Sequence, residues 1–445
     1  MNGRAGRRVP AAASAASAAV GALTLLALAA GAAAPAAAVG GAAPETRSCT
    51  EVAAEDPEVG PFAGPSRALE AMGVPAAHEV LRRRGVLPGE GVTVAVVDTG
   101  IAPRAGLPAA PGVASYGPDG EPVDPHGTVV AGLVAAPPRP DGDAVGVAPG
   151  ARLVDVRVLD AFSPQEGQAG PLAVRVAEGL EHVLAQVRRV GGARPVVDVV
   201  NVSVAVPPEP RIDAAVEALW RAGVVVVAES GDRPVDEADP LPDELAVATP
   251  GEDAASQVHP AGAGEGRGEH VLGVAAVGDA PDAPDAGVLR SSAIDVAAPT
   301  VGGVSVGLNG GTCGVDSVST SWAAAQVTGV VALLMSAYPD DTPEQVLDRL
   351  LPAADGRADV RSPTRGAGVV RADEALARGL GPPAPEAPRS IADAEPATAP
   401  VPEPDLLASV RDDAVWWGVL GGGALLLALV LRPVLARRDP ARTSR

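Results

Sequence analysis

Five apolar, valine-rich runs punctuate the middle of this chain: Val92–Val97, Leu153–Val158, Val196–Val204, Val224–Val227 and Val271–Val277. They are mostly apolar throughout. Strands of that kind must be covered on both faces, which is the condition of a parallel sheet between layers of helix. Helical periodicity appears over His126–Ala136, Leu172–Arg189, Ile212–Ala222, Ser321–Tyr338 and Pro343–Leu351. Strands and helices in alternation are βαβ units, so the chain is expected to form one large α/β domain with a mostly parallel sheet.

The two ends do not belong to that pattern. Residues 1–38 carry Arg4, Arg7 and Arg8, then an uncharged Ala/Leu/Val stretch, then the small-residue run Ala32–Ala38, the order of a secretory signal peptide. Residues 39–74 are an Ala/Gly/Glu/Pro-rich extension. After the domain, taken as 75–378, prolines crowd into a semi-rigid spacer over 379–413. Residues 414–431 are 18 in number and uncharged; as a helix they span about 27 Å, enough for a bilayer. Trp416 and Trp417 mark the outer interface, and the tail 432–445 carries Arg432, Arg437, Arg438, Arg442 and Arg445. By the positive-inside rule the tail is cytoplasmic and the domain extracellular, anchored to the cell membrane by a single transmembrane helix.

Charge sharpens that partition. The whole chain has 34 cationic and 55 acidic residues, a net charge of −21. The signal contributes +3 and the tail +4, so the exported residues 39–431 hold −28. So acidic a surface excludes a nucleic-acid partner, whose phosphates demand clustered cations, and the 2% aromatic content offers few stacking platforms. Cys49 and Cys313 are the two cysteines. Outside the cell they are expected to pair as a disulfide stapling the extension to the domain, the alternative being two free thiols.

In a parallel sheet, reactive groups gather at the carboxyl ends of strands and the amino ends of helices. Three polar motifs fall there. Asp98-Thr99-Gly100 ends the first strand, His126-Gly127-Thr128 opens an apolar helix, and Ser319-Thr320-Ser321 opens another. Each alone has an ordinary structural explanation: a turn-capping Asp, a structural His, an N-cap Ser. A serine hydroxyl becomes nucleophilic when an imidazole takes its proton, and the imidazole works best when a buried carboxylate orients it. Asp98, His126 and Ser321 supply those three types.

In that order the motifs resemble the subtilisin-like serine proteases. The connecting text agrees: Gly146-Val147-Ala148-Pro149-Gly150, Val200-Asn201-Val202-Ser203, Asp295-Val296-Ala297-Ala298-Pro299 and Gly366-Ala367-Gly368-Val369-Val370. The resemblance implies a subtilisin-like three-layer α/β fold and a catalytic triad of Asp98, His126 and Ser321. It also implies a substrate-lining strand at Asn201, Val202, Ser203 and Val204, and protein or peptide substrates. The layout from signal peptide to basic tail is similar to that of the mycosins, the membrane-anchored proteases of type VII secretion, which implies a secretion membrane complex as partner.

The departures from the family pattern cluster on the site. The family's oxyanion-hole side chain is an Asn, and Asp232 stands in its place, with the Ser321 backbone N–H as the other donor. Ser319 replaces a glycine, Ala325 replaces a proline, and glycines expected after Ser203 are absent. Two readings follow: an active endopeptidase, or a weakened or inactive domain kept as a structural component of a secretion complex.

No cofactor is required. The acidic run Asp232–Asp253 reads as a solvated loop; calcium is an alternative that its spacing does not support. His78, His182, His259 and His270 show no metal-ligand spacing, and the glycosylation acceptor pattern at Asn201 falls inside an apolar strand.

Overall fold

The computed structural model describes residues 47–56, 64–189, 195–233, 252–264, 268–278, 288–356, 361–380 and 408–435. The signal peptide, most of the acidic run, most of the Pro-rich spacer and the basic tail beyond residue 435 lie outside them. The chain divides into two units, one ending at Leu380 and one beginning at Gly381.

The first unit is built on a six-stranded sheet in which every pairing is parallel. Its strands are β1 (Thr93–Asp98), β2 (Arg152–Arg157), β3 (Val199–Val202), β4 (Val225–Glu229), β5 (Val271–Val277) and β6 (Val296–Pro299). The spatial order is β2-β1-β3-β4-β5-β6. Five of the strands fall where the apolar runs predict them; β6, a short Val-Ala-Ala-Pro segment, is a sixth. A two-stranded antiparallel sheet follows, β7 (Gly303–Val306) and β8 (Thr312–Val315).

The helices of this unit are α1 (Arg67–Ala71), α2 (Val74–Arg83), α3 (His126–Ala135), α4 (Ala173–Arg189), α5 (Pro210–Arg221), α6 (Thr320–Ala337), α7 (Pro343–Leu350) and α8 (Ala372–Ala377). They divide between the two faces of the sheet, which explains why the strands are mostly apolar. In β1, Val94 and Val96 pack into the core that holds α3 and α6, whereas Ala95 and Val97 pack into the core that holds α4 and α5. The result is the expected helix–sheet–helix sandwich.

The two helices that carry the candidate site are unlike the others. α4 and α5 are amphipathic, as outer helices must be. In α3 every residue from Gly127 to Ala135 is buried, and in α6 every residue from Thr320 to Ser336. A helix apolar all round is a core element, so the position of its first residue is set by contacts on every side.

The extension is part of the domain from Ser66 onward. Leu69 and Met72 of the α1 segment are buried, and Ala372 N–H donates to the Met72 carbonyl at 2.8 Å. Further upstream, Cys49 is bonded to Cys313 of β8, with Cα atoms 4.9 Å apart, and the Gly314 N–H donates to the Arg47 carbonyl. The disulfide expected from the cysteine count is therefore present.

The second unit contains α9 (Ala408–Leu435). Its Val415–Arg432 stretch is long and apolar enough to cross a membrane and is exposed along its whole length. The expected span, 414–431, coincides with it to within one residue.

Candidate active site

The switch point of the sheet lies between β1 and β3, where the chain has turned first one way and then the other, and such a crevice is where ligands bind in open α/β folds. Asp98 ends β1 there and is fully buried. Its Oδ1 accepts the Thr99 N–H at 2.6 Å. His126 Nδ1 lies 2.8 Å from Oδ1 and 3.0 Å from Oδ2, so the carboxylate clasps one ring nitrogen and leaves Nε2 as the basic atom of the neutral imidazole.

Two local hydrogen bonds hold that pair. Asp124 Oδ1 accepts the His126 backbone N–H at 2.9 Å, and Thr99 Oγ1 accepts the Gly127 N–H at 2.8 Å. Position 127 must be glycine for a steric reason, since a Cβ there would sit 2.7 Å from the Gly100 carbonyl oxygen. The imidazole lies between Phe162 and Trp322, with ring centroids 4.5 and 4.6 Å away. Burial works to lower its pKa; the charges of Asp98, Glu229 and Asp124 and the bond to Asp98 outweigh burial and hold it above 6.5.

Ser321 is the second residue of α6. Ser319 is the N-cap, with extended backbone at φ −149° and ψ 136°, so no glycine is needed there, and its Oγ accepts the Ser321 N–H at 3.3 Å. The Ser321 hydroxyl donates at 2.8 Å to Glu229 Oε2, and Thr320 Oγ1 donates to the same oxygen at 2.8 Å. A longer contact of 3.5 Å joins Ser321 Oγ to the Ser203 carbonyl. Among the described residues, Ser321 and His126 are not hydrogen-bonded to each other.

Glu229 was not among the residues expected to matter. It ends β4 directly after Val-Val-Val-Val-Ala, and a charged residue closing so apolar a strand is the signal that marks it. It is 4% exposed and, among the described residues, has no salt-bridge partner. Burial, and then the charge of Asp232, push its pKa up to about 7. Asp232, three residues on, accepts the Thr320 N–H at 2.7 Å through Oδ1, and burial raises its pKa too. Two carboxylates thus stand at the amino end of α6.

The residues expected to line a substrate serve this framework. Asn201, Val202, Ser203 and Val204 are all fully buried. Thr328 Oγ1 donates to Asn201 Oδ1, Asn201 Nδ2 to Ser203 Oγ, and Ser203 Oγ to the Ser321 carbonyl at 3.1 Å. The chain of bonds ties the first turn of α6 to β3, and a buried Asn201 is closed to glycosylation. A cleft of about 480 Å³ opens beside His126, lined by Phe162 and Gln165 and by Thr50 of the disulfide-bound amino-terminal segment. Among the described residues no three His, Cys, Asp or Glu side chains gather as a metal site; most of the acidic run considered for calcium lies outside them.

Residues 89–374 match the Peptidase S8 family model, the subtilase family. Mycosin-1 of Mycobacterium tuberculosis is 33% identical over 343 residues, 71% of this chain and 74% of that protein. Serine protease AprX of Bacillus subtilis is 31% identical over 334 residues, 67% and 69% of the two chains. The solved structure of the MycP3 protease from the type VII (ESX-3) secretion system matches with a TM-score of 0.55 and 29% identity, over 74% of this chain and 91% of that one. The family expected from three short motifs is the one found across nearly 300 residues. The chain belongs to the subtilase family of serine peptidases, and within it is similar to the mycosins.

Proposed function

We propose that this protein is a membrane-anchored extracellular endopeptidase of type VII secretion that cleaves peptide bonds with Ser321, His126 and Asp98. The observation that carries the reading is the clasp of His126 Nδ1 by the buried Asp98, with Ser321 leading the neighbouring core helix. In acylation, Ser321 Oγ bonds to the substrate carbonyl carbon and its proton passes to His126 Nε2. The peptide C–N bond then breaks as that proton moves to the leaving amine. Water reverses the same sequence to release the acid product.

Asp232 takes the family's oxyanion position and, when protonated, donates there alongside the Ser321 N–H. Its raised pKa favours that form. The apolar helix at Val415–Arg432 supports the anchor, and the arginines after it support a cytoplasmic tail. Similarity to proteases named for type VII secretion supports that setting and a protein or peptide substrate.

The second reading, a weakened domain retained for assembly, is favoured by the engagement of the Ser321 hydroxyl with Glu229. One experiment separates them. Full-length protein in detergent is treated with a fluorophosphonate probe: labelling lost in Ser321→Ala supports the peptidase, and no labelling of folded protein at any pH supports the structural role.

A further inference from the structure

The triad chemistry requires nothing at residue 229, yet the Glu229 carboxylate holds the hydroxyl that must react. We propose that Glu229 is a positioning residue that restrains Ser321, so that the serine is competent only in the form of the site in which Glu229 is protonated and His126 is neutral. The proposal rests on reading the chain as a Ser321 peptidase.

A serine hydroxyl has one proton to donate. Given to a carboxylate 2.8 Å away it forms a charge-assisted bond, stronger than one to a neutral imidazole, and it cannot at the same time be given to His126. The restraint is fixed in place because the same Glu229 oxygen also accepts Thr320 Oγ1, and because β5 pairs Val274 beside it in the sheet.

The groups facing Glu229 decide when the restraint holds. Asp232 approaches from the loop after β4, and His126 approaches from α3 with Asp98 and Asp124 behind it. The first turn of α6 brings only the neutral Ser319, Thr320 and Ser321, and the adjoining strands β3 and β5 carry no titratable side chain. An ionised Glu229 and a protonated His126 therefore stabilise each other, and both are unproductive: the imidazolium takes no proton and the carboxylate keeps the serine. The productive form has the same number of protons, with one moved from His126 to Glu229. The Ser321 hydroxyl is then free to turn to Nε2, and acylation proceeds as above without Glu229 taking or giving a proton. A midpoint for Glu229 of about 7 keeps its protonated form populated near neutrality.

The test uses the full chain in detergent, with each variant first shown to be folded by its circular-dichroism melt. Fluorophosphonate labelling rates are followed from about pH 5 to about pH 9 for wild type, Glu229→Gln, Glu229→Ala and Ser321→Ala. Wild type is expected to give a bell. Both Glu229 variants should label about tenfold faster than wild type at pH 8, their rates rising to a plateau in place of the alkaline fall. The His126 imidazole, titrated by NMR without any turnover, should show a lower pKa in Glu229→Gln. Labelling of both variants at or below the wild-type rate, beside a wild type whose labelling needs Ser321, overturns the restraint and leaves the peptidase reading intact. A His126 pKa unmoved in Glu229→Gln overturns the coupling by itself. No labelling in any folded form overturns both readings.

Discussion

Ser321 Oγ and Glu229 Oε2 lie 2.8 Å apart, a bond that sets the head of α6 against the end of β4. The backbone donors at that helix end are likewise engaged from within the chain, Thr320 N–H by Asp232 and Ser321 N–H by Ser319. A helix amino terminus attracts negative charge, and here two carboxylates and a hydroxyl of the chain itself stand at that end. The amino end of α6 is thus already furnished with acceptors of the chain's own.

Asp232→Asn removes one charge from that site and adds two N–H donors. Turnover at or above neutral pH is expected to rise at least about tenfold with little change in KM, since the gain is confined to the transition state. The Glu229 pKa should also fall, because the charge of Asp232 is one of the causes that raise it. An unchanged kcat would show that residue 232 does not face the oxyanion.

Glu229 also links stability to pH. Its folded-state pKa of about 7 lies above the ordinary value of 4.5, so the folded protein binds a proton that the unfolded chain releases first. That contribution is fully present below about pH 4.5 and is lost as pH rises through about 7. Glu229→Gln, which cannot ionise, should match wild type in acid and exceed it by about 1–3 kcal/mol at pH 8. Urea unfolding at both pH values checks this; a variant less stable at pH 8 contradicts it.

The frame was legible in sequence because it rests on periodicity: Val-rich strands buried on both faces cannot be mistaken for surface segments, and α3 and α6 begin at the motifs that named them. β6 escaped notice because Val-Ala-Ala-Pro has too few β-branched residues to register, and β7 and β8 because a buried hairpin next to a disulfide shows no clean alternation. The meeting of Asp98 and His126 was implied by the order of their motifs, which resembles that of the subtilases. Glu229 was not, since its role depends on a contact with Ser321 across 92 residues, and no local pattern encodes which way a strand-ending carboxylate will turn.

Cys49–Cys313 closes a loop of 264 residues, and cross-linking so long a loop removes much entropy from the unfolded chain. Cys49→Ser with Cys313→Ser is expected to cost about 3–5 kcal/mol, read as a lower urea midpoint. Because Thr50 lines the cleft beside His126, the same variant should also change KM for peptide substrates. Equal stability with and without the bond would show that the amino-terminal segment is held by packing alone.

Asp98→Asn keeps the shape of the site and removes the charge that most raises the His126 pKa. Burial, which works to lower that pKa, is left less opposed, so the imidazole should titrate at lower pH. The amide also favours the wrong tautomer, and kcat is expected to fall by about 10⁴. NMR titration of His126 and single-turnover acylation measure the two effects separately. A fall in kcat without a change in the imidazole pKa would mean that Asp98 acts by geometry alone.

α9 carries its apolar side chains outward. Trp416 and Trp417 are 67% and 74% exposed, and Leu425, Leu426 and Leu427 each at least 60%, so both edge and centre of the helix present apolar surface outward. In water that arrangement is unfavourable by about 25 cal/mol for each Å² of apolar surface, whereas in hydrocarbon it is the required one. Full-length protein should therefore stay with membranes after a carbonate wash, and a chain ending at residue 407 should be released. Ala424→Arg, near the middle of Val415–Arg432, should weaken insertion by about 2.5–3.5 kcal/mol and leave fluorophosphonate labelling in detergent unchanged. Recovery of the full-length protein in the wash would mean that α9 packs against protein and not lipid.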